Sequence, residues 1–322
     1  MTICRRAVPG AFLPRRAAIW RPASPANSTK PAGSTKRFAN VIQTSPHAEA
    51  ALTCKLDERS LYLRRLVLSA VRSAGRGHVG PALSLIEMVR VLYDDVLRID
   101  PKNPREPDRD RAILSKGHGC LALYVLLADR GFFPLSELEG FCGTDSILGG
   151  HPEYGMVPGV EASTGALGHG LSIGVGLALA ARMRARAYRT FVLLGDGEIN
   201  EGSVWEAAMG AAKHGLDNLV ALIDYNKLQS YGPTDYVLPL EPLADKWRSF
   251  GFAVEELNGH DVGALRNTLT RIPAVPGKPT AIICHTVKGK GLPAAESNAD
   301  WHHKNKLTDS ELDAIRVAVG DF

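Results

Sequence analysis

Two short apolar runs, residues 189–194 and 219–224, constrain the fold more than any other feature of the chain. They are separated by Gly195-Asp196-Gly197 and by a helical pattern over 200–215. Runs of that length with no polar alternation read as strands covered on both faces, and parallel strands need a crossover of helical length between them. The segment predicts a βαβ unit with a right-handed crossover. Further strands are predicted over 111–115, 253–257 and 280–285. Helices are predicted over 56–74, 83–97, 120–130, 171–187, 262–272 and 309–319, with a turn at Gly77-His78-Val79-Gly80-Pro81 ahead of the second. The expected class is α/β, a mainly parallel sheet with helices on both faces.

Composition narrows the function classes. A chain of 322 residues with 45% hydrophobic and 22% charged residues is neither collagen-like, nor a coiled coil, nor wholly disordered. The most apolar stretch, 165–181, carries His169 and is broken by Gly168, Gly170, Gly174 and Gly176, so no membrane span is expected. The net charge of +4 belongs to the start of the chain, where residues 1–47 hold eight Lys or Arg and no acid. Removing them leaves 30 basic against 34 acidic residues, a body of −4, so no nucleic-acid partner is expected. Residues 1–50 are rich in Arg, Ala, Pro and Ser, the bias of a targeting segment; a disordered tail and a misplaced start are the competing readings. Five cysteines with no C-x-x-C pair argue for a reducing compartment and against structural zinc. The expected location is cytoplasmic, with organellar targeting by the leader left open.

Chemistry is concentrated where strands end. The run 140–170 is dense in Gly and Pro, longer than an ordinary connection, and such loops in compact domains carry function or are disordered. In a parallel sheet, ligands bind at the carboxyl ends of strands, where helix N-termini aim their amides outward. Asp196 stands at one strand end and Asn226 at the next; on neighbouring strands their oxygens can converge on one small hard cation, for which magnesium is suited. An Asp in a Gly turn is by itself more often a cap than a ligand. The pairing with Asn226 makes the combination specific.

Gly195-Asp196-Gly197 followed by Asn226 resembles the signature by which thiamine diphosphate enzymes bind magnesium and diphosphate. With Gly77-His78-Val79-Gly80, Ser115-Lys116-Gly117-His118-Gly119, Gly149-Gly150-His151-Pro152-Glu153, Pro158-Gly159-Val160-Glu161 and Thr164-Gly165-Ala166-Leu167-Gly168, the chain is similar to transketolase from about Leu56 onward. The resemblance implies a domain, 51–322, of the thiamine diphosphate-binding fold that holds the cofactor's diphosphate. It implies Asp196, Asn226 and the Leu228 carbonyl as ligands of Mg2+, for which Ca2+ or Mn2+ substitute. It implies Gly197, Asn226, His118 and His302 at the diphosphate, and Gly165, Ala166 and Leu167 beside the aminopyrimidine. His78, His151 and His302 would face substrate, with His303 next door competing for the last assignment. Glu201, one turn into the helix after the metal loop, would match an acid at the family's dimer interface. His169 replaces an expected glutamine.

The family's cofactor-activating glutamate lies in a separate pyrimidine-binding domain. The resemblance therefore implies the N-terminal subunit of a split transketolase, working on sugar phosphates with a C-terminal subunit in an α2β2 assembly. The alternatives are another thiamine diphosphate enzyme, 2-oxo acid decarboxylating or deoxyxylulose-phosphate synthase-like, and a non-catalytic half-domain.

Overall fold

A computed structural model describes residues 45–319; the leader assignment falls almost wholly outside them. Five parallel strands form one sheet in the order β1-β2-β3-β5-β4: β1 (Arg111–Leu114), β2 (Thr190–Gly195), β3 (Leu219–Tyr225), β4 (Ala253–Asn258) and β5 (Thr280–His285). The strands alternate between two hydrophobic clusters. Phe191, Leu193, Val220, Leu222 and Ile282 face one, and Val192, Leu194, Ala221, Ile223 and Ile283 the other. The first cluster is closed by α2 (Glu58–Ala74), α3 (Val79–Val91), α4 (Cys120–Asp129) and α9 (Val262–Leu269). The second is closed by α5 (Gly170–Met183), α6 (Gly202–Lys213) and α8 (Leu243–Ser249). The predicted sheet with helices on both faces is therefore the fold, and Cys120 and Cys284 are buried in it.

Local chemistry explains the element ends nearest the site. Asp57 caps α2 by accepting from the Ser60 N–H (2.8 Å), and Gly75, at φ +65°, ends it in the left-handed conformation that favours glycine. Helix α3 begins at Val79, so the predicted turn through Pro81 is shorter than expected; His78 is its N-cap residue. Pro81 sits in the first turn, where its missing N–H costs nothing. A single π-turn, Leu92–Val96, extends α3 almost to the predicted end.

Three helices were not expected: α1 (Pro46–Thr53), α7 (Thr234–Val237) and α8. The first overlaps the stretch assigned to the leader and buries Ala48 and Ala51. Residues 141–169, between a 3-10 turn (Leu135–Gly140) and α5, contain neither helix nor strand, as predicted. Helix α10 (Asp309–Val319) closes the described chain. Among the described residues no helix is long and apolar enough to cross a membrane.

Candidate active site

The carboxyl ends of β2 and β3 lie side by side, Gly195 paired with Asp224, and bring together the residues expected to hold a metal. Asp196, 4% exposed, accepts from the Gly197 N–H at 2.7 Å through Oδ1 and from the Lys227 N–H at 2.6 Å through Oδ2. The second bond requires Lys227 at φ +64°, a left-handed conformation that a non-glycine residue adopts at a cost. Asn226 accepts from the Leu228 N–H at 3.1 Å through Oδ1 and donates from Nδ2 to Asp224 Oδ2 at 3.2 Å. Gly197 is tightly set, since a Cβ there would stand 3.0 Å from the Gln229 side chain.

Several buried polar residues brace this corner, and sequence reasoning missed them. Asp224, fully buried, accepts from Lys116 Nζ, from Thr286 Oγ1 and from Ser84 Oγ at 2.6 Å. Glu198, also buried, accepts from Ser115 Oγ, from the Gly195 N–H at 2.9 Å and from the Gly168 N–H at 3.0 Å, tying the loop before α5 to the end of β2. Lys288, beyond β5, donates Nζ to the Leu228 carbonyl. Its own signal was Lys288-Gly-Lys-Gly after a third strand end.

Burial raises the Asp196 carboxyl to about 6, with Lys288 opposing the shift and Asp224 adding to it. Burial likewise brings the Lys288 ammonium down to about 8, against the pull of Asp196. A buried carboxylate that resists ionisation gains from a divalent cation beside it. Among the described residues no group of three His, Cys, Asp or Glu has metal-binding geometry. The expected set has one carboxylate, one amide oxygen and one carbonyl, which leaves the rest of an octahedral shell to phosphate oxygens and water.

Five of the ten histidines form one cluster. The His78 ring centroid lies 5.6 Å from His118, 5.7 Å from His151, 6.2 Å from His302 and 4.4 Å from His303. His118 and His302 stack at 5.2 Å. His302 and His303 were competing assignments for one position; both face the cluster. His302 Nδ1 is buried without a hydrogen-bond partner among the described residues. The glycine run joins them, for a Cβ at Gly165 (φ +143°) would lie 3.0 Å from the His151 ring. Leu167 is half-buried and Ala166 exposed. An orphaned ring nitrogen, closely packed glycines and two buried lysines fit an anionic cofactor that carries a diphosphate.

Glu201 is placed differently from expectation. A 3-10 turn (Gly197–Asn200) intervenes, so Glu201 is the exposed N-cap of α6 rather than a residue one turn inside it, and it belongs to neither group. The helix predicted from residue 200 starts at Gly202 because the 3-10 turn takes up those residues. His169 is exposed at the N-cap of α5.

Burial holds the rings of His78, His118, His151 and His302 low, and like charges add to it. His78 is lowered to about 4 by burial, then by His303 and His151; His302 is lowered to about 2 by burial, then by Lys288 and Lys116. His118 and His151 are lowered in the same way. These four rings are neutral near pH 7, so each offers one donor and one acceptor. Below about pH 6.5 the unfolded chain binds protons that the folded cluster refuses, so stability present above that pH is lost as pH falls. Thermal melts should therefore show a lower Tm at about pH 5 than at about pH 7.5, and a His78→Asn, His302→Asn chain should lose part of that difference. An unchanged pH dependence in the double variant would contradict the assignment of these shifts.

Comparison with known proteins gives the family. The model of the family described as "Transketolase, thiamine diphosphate binding domain" matches residues 57–321. The chain is 44% identical over 253 residues to one of the subunits of apulose-4-phosphate transketolase from Phocaeicola vulgatus, covering 79% of this chain and 90% of that protein. It is 41% identical over 254 residues to a 6-deoxy-6-sulfo-D-fructose transketolase subunit of a Clostridium species, covering 79% and 92%. Among solved structures, transketolase from Leishmania mexicana superposes with a TM-score of 0.76 at 31% identity, over 83% of this chain and 41% of that one. Transketolase from Campylobacter jejuni gives 0.74 at 29%, over 86% and 43%, so the chain spans less than half of these solved enzymes. With a family match across nearly all described residues, the chain belongs to the transketolase family of transferases and is its thiamine diphosphate-binding domain.

Proposed function

We propose that this chain is the N-terminal subunit of a two-chain transketolase that moves a two-carbon ketol unit from a ketose phosphate to an aldose phosphate. The observation that carries the reading is the bond from the Lys227 N–H to Asp196, which sets the end of β2 against the Asn226–Leu228 turn after β3, together with the cluster of neutral imidazoles.

Asp196, Asn226 and the Leu228 carbonyl would hold Mg2+, with Ca2+ or Mn2+ as substitutes. Gly197, Asn226, His118 and His302 would contact the diphosphate, with the Lys288 ammonium offsetting its charge. Gly165, Ala166 and Leu167 would line the aminopyrimidine. Bound thiamine diphosphate supplies the carbanion stabilisation that ketol transfer needs. His78 and His151 meet the sugar's hydroxyl groups, and His78, neutral near pH 7, takes or returns a proton at a hydroxyl oxygen.

Relatives of which this chain covers nine-tenths, and which are named as single subunits of transketolases, support a second chain that supplies the pyrimidine-binding domain, in an α2β2 assembly. So does the surface. On α5 and α6, which pack together, Ile173, Met183 and Met209 are exposed, and Gly176, Gly202 and Gly210 face open space. An apolar face with open glycines admits close approach of another backbone. Glu201, exposed at the head of α6, would lie at that interface. Met209→Asp should abolish co-purification of the second chain while changing this chain's own stability by less than about 1 kcal/mol. Retention of the partner would remove this face from the interface.

The relatives' names pair the fold with anionic sugars of two kinds, a phosphate and a sulfonate. The functional test is an assay of the complex isolated from its native cells. Transfer of a two-carbon unit between sugar phosphates is expected. Decarboxylation of pyruvate without transfer would favour a 2-oxo acid or deoxyxylulose-phosphate enzyme, and no magnesium-dependent cofactor binding would favour a non-catalytic module.

A further inference from the structure

Adjacent histidines at 302 and 303 take opposite sides of the cluster, and the backbone explains why. Gly77 and Lys304 form an isolated antiparallel bridge, the Gly77 N–H donating to the Lys304 carbonyl at 2.9 Å and the Lys304 N–H to the Gly77 carbonyl at 3.0 Å. A further bond, Leu307 N–H to the Gly75 carbonyl at 3.0 Å, holds the segment beyond. This clamp lays residue 303 beside residue 78. The two rings stack face to face at 4.4 Å and 8°. His302, half-buried, stacks instead on His118.

The open side of that stack is a cleft of about 390 Å3. His78, His151 and His303 line it together, as does Arg76, whose guanidinium is tethered by one hydrogen bond from Nη2 to the Cys142 carbonyl at 2.9 Å. No acid lines the cleft among the described residues, and the Lys304 ammonium on its rim is already paired with Glu311 at 2.5 Å. The cleft therefore offers imidazole donors and acceptors along one wall and a guanidinium for an anion.

Resting on the functional reading above, we infer that His303 is a specificity-determining residue that touches substrate. Its ring narrows the cleft against His78 and presents a nitrogen to the hydroxyls of an open-chain sugar whose anionic end is attracted to Arg76. His302 serves the cofactor side; His303 serves the substrate side.

The test uses the assembled complex with His303→Gly and His303→Gln. Removing the ring should raise the ratio of kcat/KM for a bulky five-carbon aldose phosphate over a short aldehyde by about tenfold, the scale on which pocket volume discriminates. The Gln variant, which keeps bulk, should hold the wild-type ratio, and thiamine diphosphate half-saturation should stay constant in both. An unchanged ratio in His303→Gly, or a parallel loss of cofactor affinity, overturns the proposal. If the wild-type complex transfers no ketol unit, the functional reading fails instead. His303 is then decided by calorimetry with a sugar-alcohol phosphate, which has no carbonyl to react. Weaker binding by about fivefold in His303→Gly supports substrate contact, as expected for one lost hydrogen bond, and equal affinity overturns it.

Discussion

Asp196→Asn should lower magnesium-dependent affinity for thiamine diphosphate by at least about a hundredfold while leaving the fold intact. The amide keeps the volume of the carboxylate but removes the one acidic oxygen donor of the expected ligand set. It also points an N–H2 at either the Gly197 or the Lys227 N–H, both of which now donate to Asp196. Lys288 would lose a charge that holds its ammonium up in a buried setting, leaving its neutral form favoured. Circular dichroism and the melting profile should stay close to wild type, because these are loop bonds at a strand end rather than core packing. Calorimetric titration with and without Mg2+ is the measurement. An affinity equal to that of the wild type would remove Asp196 from the metal site.

The second large effect is on stability. Arg64 and Glu87, both almost wholly buried, form a two-pronged pair at 2.6 and 2.9 Å between α2 and α3. His260 Nδ1 joins Glu87 at 2.8 Å, while His260 Nε2 accepts from the Val287 N–H at 2.9 Å. Arg64 Nε also donates to the Lys290 carbonyl at 2.7 Å. Burial alone would raise the Glu87 carboxyl, but Arg64 and His260 outweigh it and hold it far below the usual carboxylate range. Arg64→Met leaves that carboxylate buried with its chief cation gone, so it should cost about 3–5 kcal/mol in urea unfolding. Arg64→Met with Glu87→Met should cost less than the single change, since no uncompensated charge remains. A loss below about 1 kcal/mol for the single variant would show that the pair does not hold α2 to α3. Because the same network anchors residues 287 and 290, the variant should also weaken cofactor binding through Lys288.

How much of this was legible in the chain depends on distance along it. The unit β2, α6, β3 was readable because its strands are uninterrupted apolar runs, and Asp196 with Asn226 followed from their places at its ends. Helix α8 was not: only Leu243 and Trp247 are buried in seven residues, too little periodicity to stand out. Helix α1 buries two alanines and nothing larger, which no hydrophobic pattern reveals. The bracing of Asp224 was invisible for another reason. Its partners Lys116 and Ser84 lie 108 and 140 residues earlier, so only the fold brings them together. His302 and His303 show the limit most plainly: spacing admits one residue at a position, whereas the clamp at Gly77 and Lys304 uses both.

Division of the active site, with its diphosphate half on this chain, is tested most directly by measuring two-carbon transfer between sugar phosphates with the purified chain alone, and then with the second chain added. Thiamine diphosphate and Mg2+ are present in both assays. The chain alone should bind cofactor without transferring, and transfer should require both chains and the metal. Full-rate transfer by the chain alone, or none by the pair despite bound cofactor, would contradict a divided site.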